Sequence, residues 1–215
     1  AIASFDVQSY RRANSDLRAA YGTNLKQYYL HYISYGKREG RRATGVSGLL
    51  NPTTTLDGVD YSAVYDFNDY MDNYADLKAL FADDDVAALR HFVSYGMKEG
   101  RIAKKGFDVK SYKNSYADLR GMYGSDYKNY YIHYMYCGKN EGRNSTTNVK
   151  TVIGGVSILN GVDYSDVYDY QTYIALNPDI KSACGGDDIL ALKHFVLYGM
   201  KEGRIAKNSF NPYHY

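Results

Sequence analysis

Apolar residues recur three and four positions apart along much of this chain, the spacing of a helix that buries one face. In residues 25–36 the positions Tyr29, Tyr32, Ile33 and Tyr35 form one stripe. Their equivalents further along stay apolar or aromatic, with Cys137 the one small substitution. The pattern predicts a helix whose stripe faces the core. Gly36, Gly96, Gly138 and Gly199 stand where a left-handed C-terminal cap would end it. Two shorter helices precede it. Asp6, Asp66, Asp108 and Asp169 are N-cap residues for the first. The second opens near Asn-Ser-Asp-Leu or Tyr-Ala-Asp-Leu. In one place it opens as Asn177-Pro178-Asp179, a cap residue followed by proline at the first helical position. It ends at Gly22 or Gly124. The stretch TVIGGVSILNGV (151–162) differs: two apolar runs about Gly154-Gly155 predict a small β-hairpin. The fold class expected is mainly α, with three short helices per unit and one hairpin insert per pair of units.

The helical pattern recurs in register. HYISYGKREGR (31–41), HFVSYGMKEGR (91–101), HYMYCGKNEGR (133–143) and HFVLYGMKEGR (194–204) keep His, Gly, Glu, Gly and Arg at fixed spacing. Asp16, Asp76, Asp118 and Asp179 each lie fifteen residues before their histidine. This predicts tandem copies of about forty residues: copy 1 at 1–43, an insert at 44–64, copy 2 at 65–104, copy 3 at 105–143, an insert at 144–167 and copy 4 at 168–206. Residues 207–215 read as the start of a further copy or a C-terminal cap, because Phe210 and Tyr215 keep the spacing that opens a copy. Residues 1–5 likewise match the tail of a copy in part.

An array is read differently from an enzyme. Equivalent positions in four copies seldom converge on one catalytic centre, and they more often build a surface that binds something. No nucleophile elbow, phosphate loop or Cys/His metal spacing occurs. The reading is therefore no catalytic residue, no metal and no cofactor. Asp83-Asp84-Asp85 lacks the spaced ligands of a calcium loop and reads as a solvated helix start. The net charge of +2, with many basic residues beside acids in the Glu-Gly-Arg turns, argues against a nucleic-acid surface. No apolar run approaches the length of a membrane span. Tyrosine is the outlier, with 26 copies and no tryptophan. Most tyrosines belong to the core, yet the excess suits a protein-recognition surface. Cys137 and Cys184 stand at ring positions of the other copies and read as two buried thiols.

The recurring charged and imidazole groups read as scaffold. His31, His91, His133 and His194 are expected to bond to Asp16, Asp76, Asp118 and Asp179, tying the third helix to the second. Glu39, Glu99, Glu141 and Glu202, with Arg41, Arg101, Arg143 and Arg204, are expected to make charge-assisted bonds to helix ends or across copies. Candidate contact positions are those where odd and even copies differ. Tyr28 and Tyr130 give way to Ala88 and Ala191, and Leu30 and Ile132 to Arg90 and Lys193. Tyr136 and Leu197 vary on the same outer stripe. Such positions face a neighbouring copy or a ligand, the seam being slightly preferred.

The segments NGVDYSDVYDY (160–170), HFVLYGMKEGRIA (194–206) and SYADLRGMYG (115–124) resemble tandem repeats of secreted and surface proteins of gut Firmicutes of the Lachnospiraceae type. The resemblance covers nearly the whole chain and extends in general character to immunoglobulin-binding, superantigen-like proteins. It implies an extracellular, non-catalytic module and transfers no binding residue. The partner expected is a host protein such as an immunoglobulin variable domain. A cell-wall or host glycan is the alternative, and a spacer role is the third. Neither nucleic acid nor membrane insertion is expected.

Overall fold

The computed structural model describes residues 5–146 and 148–214. Sequence expectations that rest on residues 1–4 and on Tyr215 lie outside them. The chain divides into two compact units, residues 1–105 and 106–215. Each holds one odd copy, one insert and one even copy.

The same order of elements occurs four times. Copy 1 has α1 (Val7–Ala13), α2 (Ser15–Tyr21) and α3 (Leu25–His31). Copy 2 has α4 (Phe67–Asn73), α5 (Ala75–Phe81) and α6 (Asp85–His91), followed by a single turn, α7 (Met97–Glu99). Copy 3 has α8 (Val109–Ser115), α9 (Ala117–Tyr123) and α10 (Tyr127–His133). Copy 4 has α11 (Tyr170–Leu176), α12 (Pro178–Cys184) and α13 (Asp188–His194). Helices of seven residues do not hold alone in water, so packing must hold them. In copy 1 that packing is Tyr10, Leu17 and Tyr28, flanked by Phe5, Val7, Tyr21 and Tyr32. In copy 4 it includes Tyr168, Tyr173, Ile180, Leu192 and Phe195.

The aspartates before each first helix are caps. Asp6 accepts from the amides of Gln8 and Ser9, Asp66 from Asp69, Asp108 from Lys110 and Asp169 from Thr172. Each such cap contributes about 1 kcal/mol. Asn177 precedes Pro178 at the first turn of α12, but its side chain donates to Tyr173 O instead of capping.

The end of each third helix departs from expectation. The helix runs into a five-residue π-turn, at Tyr32–Gly36, Phe92–Gly96, Tyr134–Gly138 and Phe195–Gly199. Its wider i→i+5 bonding appears in Lys37 N to Tyr32 O at 3.1 Å and Lys139 N to Tyr134 O at 3.0 Å. Gly96 is right-handed at φ −55°, so it is no left-handed cap. The left-handed residue is the later glycine of Glu-Gly-Arg, with Gly40 at φ 65° and Gly100 at 68°. The stripe also splits. Leu89, Phe92, Tyr131, Leu192 and Phe195 are buried, whereas Tyr29, Ile33, Tyr35, Tyr95 and Tyr198 are exposed.

Each insert carries one two-stranded antiparallel ribbon: β1 (Thr55–Leu56) with β2 (Val59–Asp60), and β3 (Ile158–Leu159) with β4 (Val162–Asp163). The turns are Asp57-Gly58 and Asn160-Gly161, with φ of 50° and 81°, and 51° and 80°. Both central residues are left-handed, as the preferred two-residue hairpin loop demands. The expected turn at Gly154-Gly155 is displaced. Gly155 serves close packing instead, since a Cβ there would collide with the Cβ of Tyr170.

Candidate functional site

The histidines hold a partner that sequence spacing did not indicate. Each Nδ1 meets the hydroxyl of the tyrosine on the first helix of its own copy: Tyr10–His31 at 2.9 Å, Tyr70–His91 at 3.0 Å, Tyr112–His133 at 2.9 Å and Tyr173–His194 at 2.8 Å. The bond ties the third helix to the first, not to Asp16, Asp76, Asp118 or Asp179 on the second. The glycine five residues after each histidine completes the arrangement. A Cβ on Gly96 would stand 2.6 Å from the Tyr70 hydroxyl, and one on Gly199 2.5 Å from that of Tyr173. Burial pushes the Tyr10 and Tyr173 hydroxyls up to about 12. Burial, then the nearby Arg101 charge, holds His91 below its ordinary value.

The aspartates pair with the arginines. Arg41 bridges Asp16 at 2.8 Å and Glu39 at 2.5 Å. Arg101 bridges Asp76 at 3.6 Å and Glu99 at 2.5 Å. Arg143 bridges Asp118 at 2.8 Å and Glu141 at 2.6 Å, and Arg204 bridges Asp179 at 2.9 Å and Glu202 at 2.5 Å. Each bridge closes the Glu-Gly-Arg turn onto the first turn of the second helix in the same copy. The Arg41 bond holds Asp16 below the usual carboxylate range, and Arg143 does the same to Asp118.

The candidate contact positions separate into two groups. Tyr28 and Tyr130 are wholly buried, and so are Ala88 and Ala191, so this position is shared core despite the change in size. The two hydroxyls donate to Gly22 O and Gly124 O at 2.7 Å, closing the turn before the third helix. Neither tyrosine offers a surface. Leu30, Ile132, Tyr136 and Leu197 are exposed at 47%, 37%, 62% and 55%. Ile132 and Tyr136, four residues apart, lie on neighbouring turns of one helix.

The seam between odd and even copies is built by residues the sequence had hidden. In unit 1, Arg18 and Asp85 are each 1% exposed and paired at 3.0 Å. In unit 2, Arg120 and Asp188 repeat this at 3.0 Å. Arg18 also donates to the carbonyls of Arg11, Arg12, Leu50 and Asn51, and Asp85 accepts from Thr53 N. Asp85 is therefore no solvated helix start. Asp84 caps α6, and Asp83 is gripped by Arg11 and Arg12 at 2.6 and 2.8 Å. The available signal was that Arg18 and Arg120 occur only in odd copies and Asp85 and Asp188 only in even ones.

Unit 2 departs from unit 1 beside the buried ion pair. Lys113, Asn114 and Gly186 stand where unit 1 has Arg11, Arg12 and Asp83. A cleft of about 690 Å³ lies there, lined in part by Lys113, Asn114, Lys150, Gln171 and Lys181. Among the described residues one group brings metal-ligating side chains together: His133, Cys137 and Glu141. Cys137 is exposed and Cys184 half-buried, both as free thiols, so the expectation of two buried thiols fails for Cys137.

No family model matches this chain, and no curated protein or solved structure matches it either. Among the described residues, no helix is long and apolar enough to cross a membrane.

Proposed function

We propose that this chain is a non-catalytic, extracellular binding module that presents the outer faces of its third helices to a host protein, with the immunoglobulin variable domain as first candidate. One observation carries the reading. Tyr35, Tyr95 and Tyr198 occupy the same place in three copies and are all more than half exposed. They project from helix ends pinned by the Tyr–His bond, the buried glycine and the Arg–Asp bridge. Rigid exposed tyrosine gives a large contact area at low entropic cost. Leu30, Ile132, Tyr136 and Leu197 add apolar surface on the same helices. The immunoglobulin candidate itself rests on the family resemblance.

Pull-down with pooled immunoglobulin, followed by separated variable and constant fragments, tests this. Ile132→Lys should weaken binding at least tenfold while leaving the melting temperature unchanged, because copies 2 and 4 carry Arg90 and Lys193 there. No retention of immunoglobulin at micromolar protein sinks the reading.

The cleft of unit 2 favours a second reading, a cell-wall glycan module. Its lysines and amides suit hydroxyl and anionic groups. Sedimentation with peptidoglycan, abolished by Lys181→Glu, would establish that reading in place of the first.

A further inference from the structure

We propose that His133, Cys137 and Glu141 form a binding site for one divalent ion of the zinc class, in copy 3 alone. One ligand atom from each of the three lies within 4.8 Å of the others. A tetrahedral zinc ion with bonds of about 2.0–2.3 Å needs its ligand atoms about 3.5 Å apart. Cys137 is exposed and its thiol is free, so a change of its rotamer would move the sulfur toward the other two ligands.

The surroundings already orient the ligands. Tyr112 bonds His133 Nδ1 at 2.9 Å, so Nε2 is the ring nitrogen this proposal gives to the metal. A bond to the other ring nitrogen is the usual support of a metal-ligating histidine. Arg143 fixes one Glu141 oxygen at 2.6 Å, leaving the second oxygen available. The Arg143 charge is offset by Asp118 at 2.8 Å. The site lies at the carbonyl end of the third helix, where the backbone dipole favours a cation.

Comparison of the copies isolates the cause. Copies 1, 2 and 4 keep the histidine and the glutamate, but Tyr35, Tyr95 and Tyr198 replace the thiol. Those rings pack on their histidines at centroid distances of 5.7, 5.5 and 5.6 Å. In copy 3 the ring is gone and a sulfur stands in its place. Thiolate, imidazole and carboxylate together select zinc-like ions over magnesium or calcium. Binding displaces the thiol proton to solvent with no change of oxidation state, and water fills the fourth position.

Titration of the reduced full chain with Co²⁺ tests the site. The expected result is one equivalent bound, a thiolate-to-cobalt charge-transfer band, and displacement by one equivalent of Zn²⁺ with a rise in melting temperature. Cys137→Tyr installs the residue of the other three copies and should abolish the band, with metal-free melting unchanged. Glu141→Gln should weaken Co²⁺ binding about tenfold, and Cys184→Ser should leave it intact. Absence of a thiolate band at stoichiometric Co²⁺ overturns the site. So does a band that survives Cys137→Tyr, or one ion shared between two chains on size-exclusion chromatography.

Discussion

Tyr65 and Tyr168 are buried, and among the described residues their hydroxyls have no hydrogen-bond partner. Burial holds both hydroxyls well above their ordinary titration range. They open copies 2 and 4, where copies 1 and 3 have Phe5 and Phe107. The fold therefore accepts phenylalanine at this position. An unpaired buried hydroxyl costs about 1–3 kcal/mol, and removing it leaves the ring packing in place. Tyr65→Phe should raise stability by about 1 kcal/mol and the melting temperature by about 2–4 °C. A thermal melt decides it. A lower melting temperature would mean that the hydroxyl is satisfied by a bound water. The cap aspartates contrast with these tyrosines. Asp6 and its equivalents were legible in sequence because a cap acts on amides two or three residues away. The tyrosine partner of each histidine was not, because it lies 21 residues upstream on a different helix.

At the scale of elements, the π-turn explains why a glycine follows each histidine by five residues. The backbone at Gly96 lies against the Tyr70 hydroxyl and the Phe92 ring, and a Cβ would stand 2.6 and 3.0 Å from them. In an ordinary exposed helix, Gly→Ala stabilises by about 1 kcal/mol. Here the sign reverses, because the added methyl must displace a hydrogen-bonded ring, and overpacking typically costs about 1–3 kcal/mol. Gly96→Ala should therefore lower the melting temperature, measured beside a Tyr70→Phe/Gly96→Ala double variant that recovers part of the loss. Gly96→Ala at or above wild-type stability would show that the glycine is not needed for close approach. Sequence periodicity identified the helix and its length but not the change of winding. The π-turn packs its glycine against the first-helix tyrosine, and Tyr35 and Tyr95 lie exposed in a stripe that reads as continuous core. The hairpins were misplaced for a related reason. Gly154-Gly155 carries a turn-like signature, but Gly155 answers to Tyr170, and the turn forms at Asn160-Gly161.

At the scale of the whole molecule, each unit is organised around one buried arginine. Arg18 donates all five of its N–H groups: to Asp85 and to the carbonyls of Arg11, Arg12, Leu50 and Asn51. Arg120 repeats the set with Asp188, Lys113, Asn114, Ile153 and Gly154. Odd helix, insert and even helix thus meet at one guanidinium. This arrangement was illegible in a single copy, because its two charges sit at positions that do not correspond between odd and even copies. It also makes an unusual energetic prediction. Removing one member of a buried pair, as in Asp85→Ala, should destabilise by about 3–5 kcal/mol. For a simple buried pair, replacing both partners by apolar residues is often neutral or stabilising. Arg18→Met with Asp85→Leu should not recover here. Arg11 O and Arg12 O keep the amides of Asn14 and Leu50, but Leu50 O, Asn51 O and the Thr53 amide lose the bonds they make to this pair, and an unsatisfied buried group costs about 1–3 kcal/mol. Urea denaturation of the two single variants and the double variant measures this. A double variant as stable as the parent would reduce Arg18 to an ordinary ion-pair member. A double variant as unstable as either single one would establish that the arginine holds the unit together through its backbone bonds.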